Sequence, residues 1–374
     1  MLNPNIMLNY GYYIYKNERI LCKRELHSKI KINRDNRPDV KFILNDDIFS
    51  NIDCKIDPPF TLSQLYKLRA TELRENYDYL ILMYSGGSDS HQILSTFLNE
   101  GIFLDEIRTF FPIKLAERFT PNLDETNPLG VLSEYKLTVQ PSLKYAKNKS
   151  PNTKIVEIDI TDQLRIDGLD WYKGLADNAV YVTKYLYHNS KNVYTVHKNQ
   201  ESSDKLNKRI GIMFGSDKTY IDYDNDTFDV FFKFIDANRS QIVNYLMYDD
   251  LLYTPEMFYY SRTNPLISIK QAHSLLKYCK VNKRFRYNLL NRIPYQEVGS
   301  NLKQIKSILY PDWDNNRYQK FEKGNYGDAI FSEYFNMPIE DIIKERDAYY
   351  RQEYALDGKT MYHTKKHYIG NLYA

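Results

Sequence analysis

The sequence predicts an α/β protein with a doubly wound parallel sheet, and two observations support this fold class. An apolar strand at 78–84 is followed by a helix at 90–100 and a second strand at 107–111. This β-loop-α-β unit takes about 35 residues, the size at which a crossover helix joins parallel strands. Two further apolar strands, at 153–160 and 209–214, continue the pattern along the chain.

The other elements divide the chain into three predicted parts. Residues 1–60 hold short β-rich segments and form a small N-terminal cap. Residues 61–250 form the α/β domain, which opens with a helix at 61–76 that starts with Thr and Ser. Residues 251–374 form a mainly helical C-terminal part. The remaining predicted elements are a hairpin at 223–234 and helices at 133–148, 171–190, 267–280, 301–310 and 337–355.

Composition narrows the class of protein. The chain of 374 residues is 43% hydrophobic and 26% charged, which is ordinary for a globular protein. It holds no run of about 18 apolar residues that would predict a membrane span, and its N-terminus lacks the pattern of a signal peptide. The three cysteines lie far apart, which argues against a structural zinc site and fits a reducing cytoplasm: Cys22, Cys54 and Cys279.

Charge and aromatic content say less about function. The net charge is 51 − 48 = +3, too small to predict nucleic-acid binding by itself. The 35 Tyr residues against 2 Trp, with abundant Lys, Asn and Ile, are typical of an AT-rich genome, of which a bacteriophage is one source. Because the cysteines fit a reducing compartment and no signal peptide is predicted, we expect a cytoplasmic protein. Its location would be the host cytoplasm if the gene belongs to a phage.

A glycine pair lies between the first predicted strand and its helix, in the segment YSGGSDSH (84–91). Glycines adopt positive φ and let the backbone approach a ligand closely, and the N–H groups of a helix start attract an anion. Ser85, Ser88 and Ser90 add hydroxyl donors, and Asp89 is a candidate Mg²⁺ ligand. The alternative is a tight turn with a serine cap and no ligand.

Two familiar phosphate loops are excluded, because neither G-x-x-x-x-G-K-[ST] nor G-x-G-x-x-G occurs here. The segment SGGSDS (85–90) instead resembles the PP-loop signature SGGxDS of the adenine nucleotide alpha-hydrolase-like ATP pyrophosphatases. That superfamily includes asparagine synthetase, GMP synthetase, NAD synthetase, deazaguanine nitrile synthases and enzymes that thiolate tRNA or form lysidine. The resemblance covers about residues 75–160 and extends toward 235.

The resemblance implies a substrate, a metal and a reaction. ATP and Mg²⁺ would bind, a substrate oxygen would attack the α-phosphate, and pyrophosphate would leave into the loop. A nucleophile would then displace AMP. The residues implied for the β- and γ-phosphates and their Mg²⁺ are Ser85, Gly86, Gly87, Asp89 and Ser90. Met83, Phe110 and Phe111 would flank adenine. Such catalysis is mostly positioning and charge stabilisation, so the absence of a catalytic triad is expected.

A second polar loop, GSDKTY (215–220), follows the strand at 209–214. In α/β sheets ligands bind at the carboxyl ends of the strands. Lys218 is therefore a candidate to neutralise the leaving pyrophosphate, and Asp217 a candidate second metal ligand. The loop resembles the second motif of asparagine synthetase-like domains in position only. The alternative is a polar β-turn.

Other polar residues have weaker functional interpretations. Lys270 and His273 share a helix face and are candidates to contact a substrate, although a solvated surface is the favoured explanation. His363 and His367 have i, i+4 spacing but no acidic third ligand, so a metal site is disfavoured. Lys323 is a weak candidate for a phosphate contact. The basic segment 280–292 has interleaved aromatics, typical of single-strand nucleic-acid binding or, more often, of an exposed helix. YPDW (310–313) predicts a packing turn.

Subclass fingerprints of the superfamily are missing. Residue 2 is Leu rather than the cysteine of glutamine-hydrolysing synthetases, and no four-cysteine zinc site or cysteine pair exists. The leading hypothesis is an ATP-dependent ligase or amidotransferase-like enzyme that adenylylates a carboxylate or carbonyl oxygen of a small molecule. The alternatives are a nucleobase- or nucleic-acid-modifying enzyme, and a nucleotide-binding or virion-associated protein that kept the loop without catalysis. The sequence makes no prediction of oligomeric state.

Overall fold

The computed structural model describes residues 9–35, 38–111, 113–114, 135–159, 208–215, 218–236, 253–290, 299–314, 336–338, 340–341, 344 and 362–374. The strands are β1 (Tyr12–Tyr15), β2 (Glu18–Ile20), β3 (Val40–Ile43), β4 (Tyr79–Met83), β5 (Glu106–Phe111), β6 (Lys154–Asp159), β7 (Ile210–Phe214), β8 (Tyr220–Tyr223), β9 (Asp229–Lys233), β10 (Tyr253–Met257) and β11 (His367–Asn371). The α-helices are α1 (Lys23–Ile32), α2 (Asp46–Phe49), α3 (Leu62–Asn76), α4 (Ser88–Asn99), α5 (Gln140–Lys149), α6 (Leu266–Val281), α7 (Lys283–Leu290) and α8 (Gly299–Leu309).

A five-stranded sheet, parallel throughout, forms the centre of the fold, in the order β10-β7-β4-β5-β6. The chain adds β5 and then β6 on one side of β4, and later adds β7 and β10 on the other side. The strand order therefore reverses between β4 and β7, which is where open α/β sheets bind ligands, outside the carboxyl ends of the strands. An α/β fold is confirmed. A doubly wound fold also requires helices on both faces of this sheet. That part stays a prediction, because the connection between β6 and β7 lies outside the described residues.

Burial explains why the central strands are apolar. All five residues of β7 are buried, as are Leu80, Ile81 and Leu82 in β4. Strands of a parallel sheet are covered on both faces, so their sequences are continuous apolar runs without alternation. The strands predicted at 78–84 and 209–214 are confirmed as β4 and β7.

Two three-stranded antiparallel sheets accompany the parallel sheet, with the orders β2-β1-β3 and β11-β9-β8. The first contains the strands expected in residues 1–60, where α1 and α2 are also present. The second contains a hairpin of β8 and β9, whose second strand lies within the predicted range of 223–234 and whose first strand begins three residues before it. The sequence after residue 250 predicts mostly helices, but two strands also lie there. β10 joins the parallel sheet beside β7, and β11 pairs with β9.

The predicted helices have clear sequence causes where the structure describes them. A capping box starts α3, in which the Thr61 hydroxyl accepts from the Gln64 N–H and the Gln64 side chain accepts from the Thr61 N–H. In α4, Ile93, Leu94 and Phe97 are buried. α6 and α8 confirm the helices at 267–280 and 301–310. The helix predicted at 171–190 and most of the one at 337–355 lie outside the described residues.

One further property concerns membranes. Within the described ranges, no helix has the length and apolar character needed to cross a lipid bilayer.

Candidate functional site

The segment SGGSDS lies between the carboxyl end of β4 and the start of α4. Gly86 has a φ of +81°, a backbone conformation that glycine adopts without strain. Gly87 is the residue that precedes the helix, and no side chain caps α4. Ser85 is exposed, Gly87 and Asp89 are half-buried, and Ser88 and Ser90 are buried.

Hydrogen bonds between its own serines hold this loop in shape. The Ser90 hydroxyl accepts from the Ser85 N–H at 3.2 Å and donates to the Gly87 carbonyl at 3.1 Å. The Ser85 hydroxyl accepts from the Gly87 N–H at 3.3 Å. The two serines at the ends of the motif therefore have a structural role, in addition to any contact with a ligand.

The first turn of α4 offers N–H groups to an anion. The N–H groups of Ser88, Asp89 and Ser90 have no acceptor within the helix, because no helical residue lies four positions before them to offer its carbonyl. The helix dipole adds a partial positive charge at the same end. A phosphate group placed outside Gly87 would find both. This geometry supports an anion site and remains compatible with a turn that binds no ligand.

Two buried tyrosines hold Asp89. Tyr310 donates its hydroxyl hydrogen to the Asp89 carboxylate, and Tyr259 donates its own to the Asp89 carbonyl oxygen at 2.7 Å. Both rings are fully buried and pack against each other, with centroids 5.6 Å apart. Burial and the nearby Asp89 carboxylate raise the pKa of Tyr310 well above its usual value, so its hydroxyl stays a donor.

The turn 310–313, which contains Tyr310, is fastened to α4 by further contacts. Gln92 donates from its side-chain amide to the Asp312 carboxylate at 2.7 Å and accepts from the Asp312 N–H at 3.0 Å. The His91 ring meets the Trp313 ring edge to face, with centroids 5.4 Å apart. The prediction of a packing turn is confirmed, and the surface on which it packs is the start of the helix that follows the loop.

The end of β7 also contacts the first turn of α4. A Cβ atom added to Gly215 would lie 2.6 Å from the Ser90 nitrogen and 2.9 Å from its Cα. Any larger residue would collide with backbone, which cannot yield easily. The close approach of two backbones is therefore what requires glycine at this position.

Lys218 lies in the segment between β7 and β8, and its main chain is held by a tyrosine. Tyr260 donates its hydroxyl to the Lys218 carbonyl oxygen. The Lys218 ammonium lies 5.9 Å from the centroid of the Tyr220 ring, a cation–π contact. Asp217, the predicted second metal ligand, lies outside the described residues.

The residues expected to flank adenine lie at the ends of neighbouring strands. Met83 is the last residue of β4 and is half-buried. Phe110 and Phe111 end β5, which pairs with β4. The Phe111 ring stacks on Tyr135, with centroids 5.1 Å apart, and the Phe110 side chain is not among the described atoms. These positions lie at the carboxyl end of the parallel strands, as does the SGGSDS loop.

Two weaker candidates lie on α6, and both have hydrogen-bond partners elsewhere in the protein. Lys270 donates to the Asp57 carboxylate at 3.0 Å and to the Pro58 carbonyl at 2.9 Å. His273 is buried, with its Nε2 2.9 Å from the Cys54 carbonyl oxygen. The solvated face expected for this pair is wrong, because residues 54–58 cover it.

The structure separates the paired histidines and exposes the basic segment. His367 begins β11, and His363 forms an isolated bridge with Ile235, so they share no helix face. In α7, Lys283 and Arg284 are exposed, as expected for a surface helix. Lys323 lies outside the described residues.

The residues present fit a magnesium ion only in part. Asp89 supplies one half-exposed carboxylate, an oxygen ligand of the type that Mg²⁺ prefers. In the portions of the chain that are described, no three His, Cys, Asp or Glu side chains come together to hold a metal. Mg²⁺ in nucleotide sites uses one or two carboxylates plus the phosphates of the substrate. Asp89 therefore supplies one of the ligands that such a site needs, and phosphate oxygens of a bound ligand would have to supply others.

Sequence reasoning missed Tyr259, Tyr260 and Gly215. No local pattern marks Tyr259 and Tyr260 among 35 tyrosines. The signal available for Gly215 was its place directly after a buried strand, in a chain with only 14 glycines. No family model, no curated protein and no solved structure matches this chain.

Proposed function

We propose that this chain is an ATP pyrophosphatase that adenylylates a carboxylate or carbonyl oxygen of its substrate and releases pyrophosphate. The observation that carries the proposal is the segment SGGSDS, which joins a parallel strand to a helix start where the strand order reverses. That position combines free N–H groups, a helix dipole and a backbone open to close approach, which together favour a phosphate ligand.

In this proposal the loop binds the end of ATP that leaves. The first-turn N–H groups of Ser88, Asp89 and Ser90 hold oxygens of the β- and γ-phosphates, and the exposed Ser85 hydroxyl adds a donor. Because the loop is already held by its own serines, little reorganisation is needed when pyrophosphate forms.

Asp89 orients the metal-bound phosphates. Tyr310 fixes the Asp89 carboxylate through its hydrogen bond and leaves the other oxygen for a cation. Asp89, together with Asp217 as a further candidate, would hold Mg²⁺, which neutralises phosphate charge when bound. Lys218 provides a fixed positive charge for the leaving pyrophosphate. All these contributions are positioning and charge stabilisation, the dominant sources of rate in phosphoryl-group chemistry.

The second half of the reaction displaces AMP from the activated oxygen. None of the three cysteines sits in the loop segments, so a protein sulfur relay is not part of this proposal. The nucleophile is then ammonia, an amine or a group delivered by a partner, and the product is an amide or a ligated molecule.

The test is product analysis. The protein is incubated with Mg²⁺, ATP labelled in the α- and γ-phosphates, and fractions of small molecules from the source organism. The proposal predicts labelled AMP and pyrophosphate in equal amounts, in at least one fraction. Release of ADP and phosphate alone in every fraction would show that the wrong bond of ATP is assigned.

A second candidate, modification of a nucleobase or nucleic acid, is favoured by the exposed basic helix α7. Lys283 and Arg284 are exposed there, and Tyr287 has 61% of its surface exposed. Cations beside exposed aromatics suit single-stranded nucleic acid. This candidate predicts binding of oligonucleotides that weakens steeply as salt rises, and it fails if no binding occurs at low salt.

A further inference from the structure

Two consecutive tyrosines after β10 reach two different loops. Tyr259 donates its hydroxyl to the Asp89 carbonyl oxygen at 2.7 Å, at the start of α4. Tyr260 donates its hydroxyl to the Lys218 carbonyl oxygen, after β7. Because consecutive Cα atoms are about 3.8 Å apart, the two hydrogen bonds tie these loops to one short piece of backbone.

The tyrosine pair is itself held firmly. The Tyr259 ring packs against Tyr66, with centroids 5.5 Å apart, and the Tyr260 ring meets Phe234 at 4.5 Å. Their carbonyl oxygens accept hydrogen bonds from the side chains of Ser268, at 3.1 Å, and Asn45, at 2.9 Å. Buried rings with fixed main-chain groups have few rotamers open to them, so the hydroxyls have little freedom to move.

A second buried hydrogen-bond chain supports the Lys218 loop. The Thr219 N–H donates to the Gln271 side-chain oxygen at 3.1 Å, and the Gln271 amide donates to the Tyr66 hydroxyl at 3.0 Å. Tyr66 in turn donates to the Leu309 carbonyl at 2.7 Å, next to Tyr310. One buried hydrogen-bond network therefore connects the segment of Lys218 with the turn that contacts the SGGSDS loop.

We propose that Tyr259 and Tyr260 are positioning residues which hold the SGGSDS loop and Lys218 at a fixed separation, so that one polyphosphate contacts both. This inference rests on the proposed function, since it assigns the pair a role in the same phosphate site. Neither tyrosine touches the ligand. Tyr260 acts through Lys218, and Tyr259 acts through the loop.

Tyr260 could instead act only by stabilising the fold. A double-mutant cycle distinguishes that purely structural role from a role that depends on Lys218. Tyr260→Phe keeps the ring and removes one hydrogen bond. Lys218→Met keeps the length of the side chain and removes its charge. If Tyr260 acts through Lys218, its hydroxyl matters only while the lysine charge is present, so the two effects are not additive.

The experiment measures pyrophosphate binding by calorimetry in Mg²⁺ for the wild type, both single variants and the double variant. We expect Tyr260→Phe to weaken binding about five- to tenfold, the value of one buried hydrogen bond, in the wild type and less than about twofold in Lys218→Met. Tyr10→Phe is the control, because it removes another buried tyrosine hydroxyl, bonded to the Pro255 carbonyl at 2.7 Å, and should leave affinity unchanged.

The outcomes separate this inference from the proposed function. Equal weakening by Tyr260→Phe in both backgrounds, or no weakening in either, would overturn the positioning role while pyrophosphate binding by the wild type stands. Failure of the wild type to bind either pyrophosphate or ATP would overturn the proposed function, and the positioning role with it. Thermal unfolding of every variant confirms that the folded state is compared.

Discussion

Tyr310 donates a hydrogen bond to the carboxylate of Asp89 from 221 residues further along the chain. This contact brings a turn after α8 onto the loop after β4. It gives the acidic residue of the loop a buried neutral donor on one side, while Asp89 stays half-exposed. The carboxylate is thus oriented by a residue that has no place in the local sequence motif.

Removal of the Tyr310 hydroxyl should weaken the metal-dependent part of ATP binding. In Tyr310→Phe the Asp89 carboxylate loses its fixed partner and can rotate. We expect the Mg²⁺ concentration for half-maximal ATP binding to rise about fivefold, the value of about 1 kcal/mol. The measurement is a Mg²⁺ titration of fluorescent ATP analogue binding.

Tyr10→Phe is the control for that change. It removes another buried tyrosine hydroxyl, which donates to the Pro255 carbonyl at 2.7 Å. We expect its Mg²⁺ requirement to equal that of the wild type. An equal rise in both variants would mean that the loss of any buried tyrosine hydroxyl has this effect, and that the Tyr310 contact with Asp89 has no special role.

Two substitutions of Asp89 separate charge from packing. Asp89→Asn keeps an acceptor for Tyr310 and removes the charge, so we expect little change in stability and a loss of AMP formation of about 100-fold or more. Asp89→Ala also leaves the buried Tyr310 hydroxyl without its acceptor, which costs about 1–3 kcal/mol of unfolding free energy. Product analysis and urea unfolding measure the two effects. A protein that kept the loop without catalysis would show the stability change of Asp89→Ala and no change in any turnover.

Gly87→Ala tests for a ligand on the loop. Gly87 has φ −72° and ψ 159°, a conformation open to alanine, and an added Cβ would meet only the Ser85 hydroxyl at 3.3 Å. We therefore expect unfolding free energy within about 0.5 kcal/mol of the wild type. ATP affinity should fall at least tenfold, because the methyl group occupies the approach of the phosphates. Unchanged ATP affinity would favour the tight turn without a ligand.

Gly215→Ala should show the opposite balance. Its Cβ would lie 2.6 Å from the Ser90 nitrogen, so the strand end and the helix start must move apart. We expect a loss of about 1–3 kcal/mol in unfolding free energy, together with weaker ATP binding. Urea unfolding at neutral pH measures the loss. Wild-type stability in this variant would show that the two backbones are not in contact.

Acid should destabilise the fold through His27. Burial, with the nearby Lys23 charge, lowers the pKa of His27 from 6.5 to about 4. The unfolded chain therefore takes up this proton first, and the stability present above pH 6.5 is lost as pH falls toward about 4. The loss is on the order of 3 kcal/mol. Urea unfolding between pH 7 and 4 should show a smaller loss for His27→Gln, and equal slopes would contradict the assignment.

The sequence allowed prediction of the core strands and the loop, because those signals are local. Apolar runs mark β4 and β7, and SGGSDS marks the turn between strand and helix. β10 was missed because YTPEM contains Pro255 and Glu256, which disfavour a strand. Among the described strands, β10 lies at an edge of the sheet, a position that tolerates proline. β11 was missed because HYIGN is short and contains Gly370 and Asn371, residue types that are depleted in strands.

The surroundings of Asp89 could not be predicted from the sequence. Tyr259 and Tyr310 contact Asp89 from 170 and 221 residues further along the chain. Both contacts depend on how the later part of the chain folds back onto the loop. No spacing rule connects such positions. YPDW indicated a packing turn, but which helix it packs against is decided only by tertiary structure.

The central claim is that the SGGSDS loop binds the phosphates of ATP. A crystal structure with Mg²⁺ and α,β-methylene ATP, which cannot be cleaved between those phosphates, tests it most directly. We predict β- and γ-phosphate oxygens within about 3 Å of backbone nitrogens in the loop and the first turn of α4. The analogue bound elsewhere on the protein, or a loop without phosphate at saturating analogue, would contradict the claim.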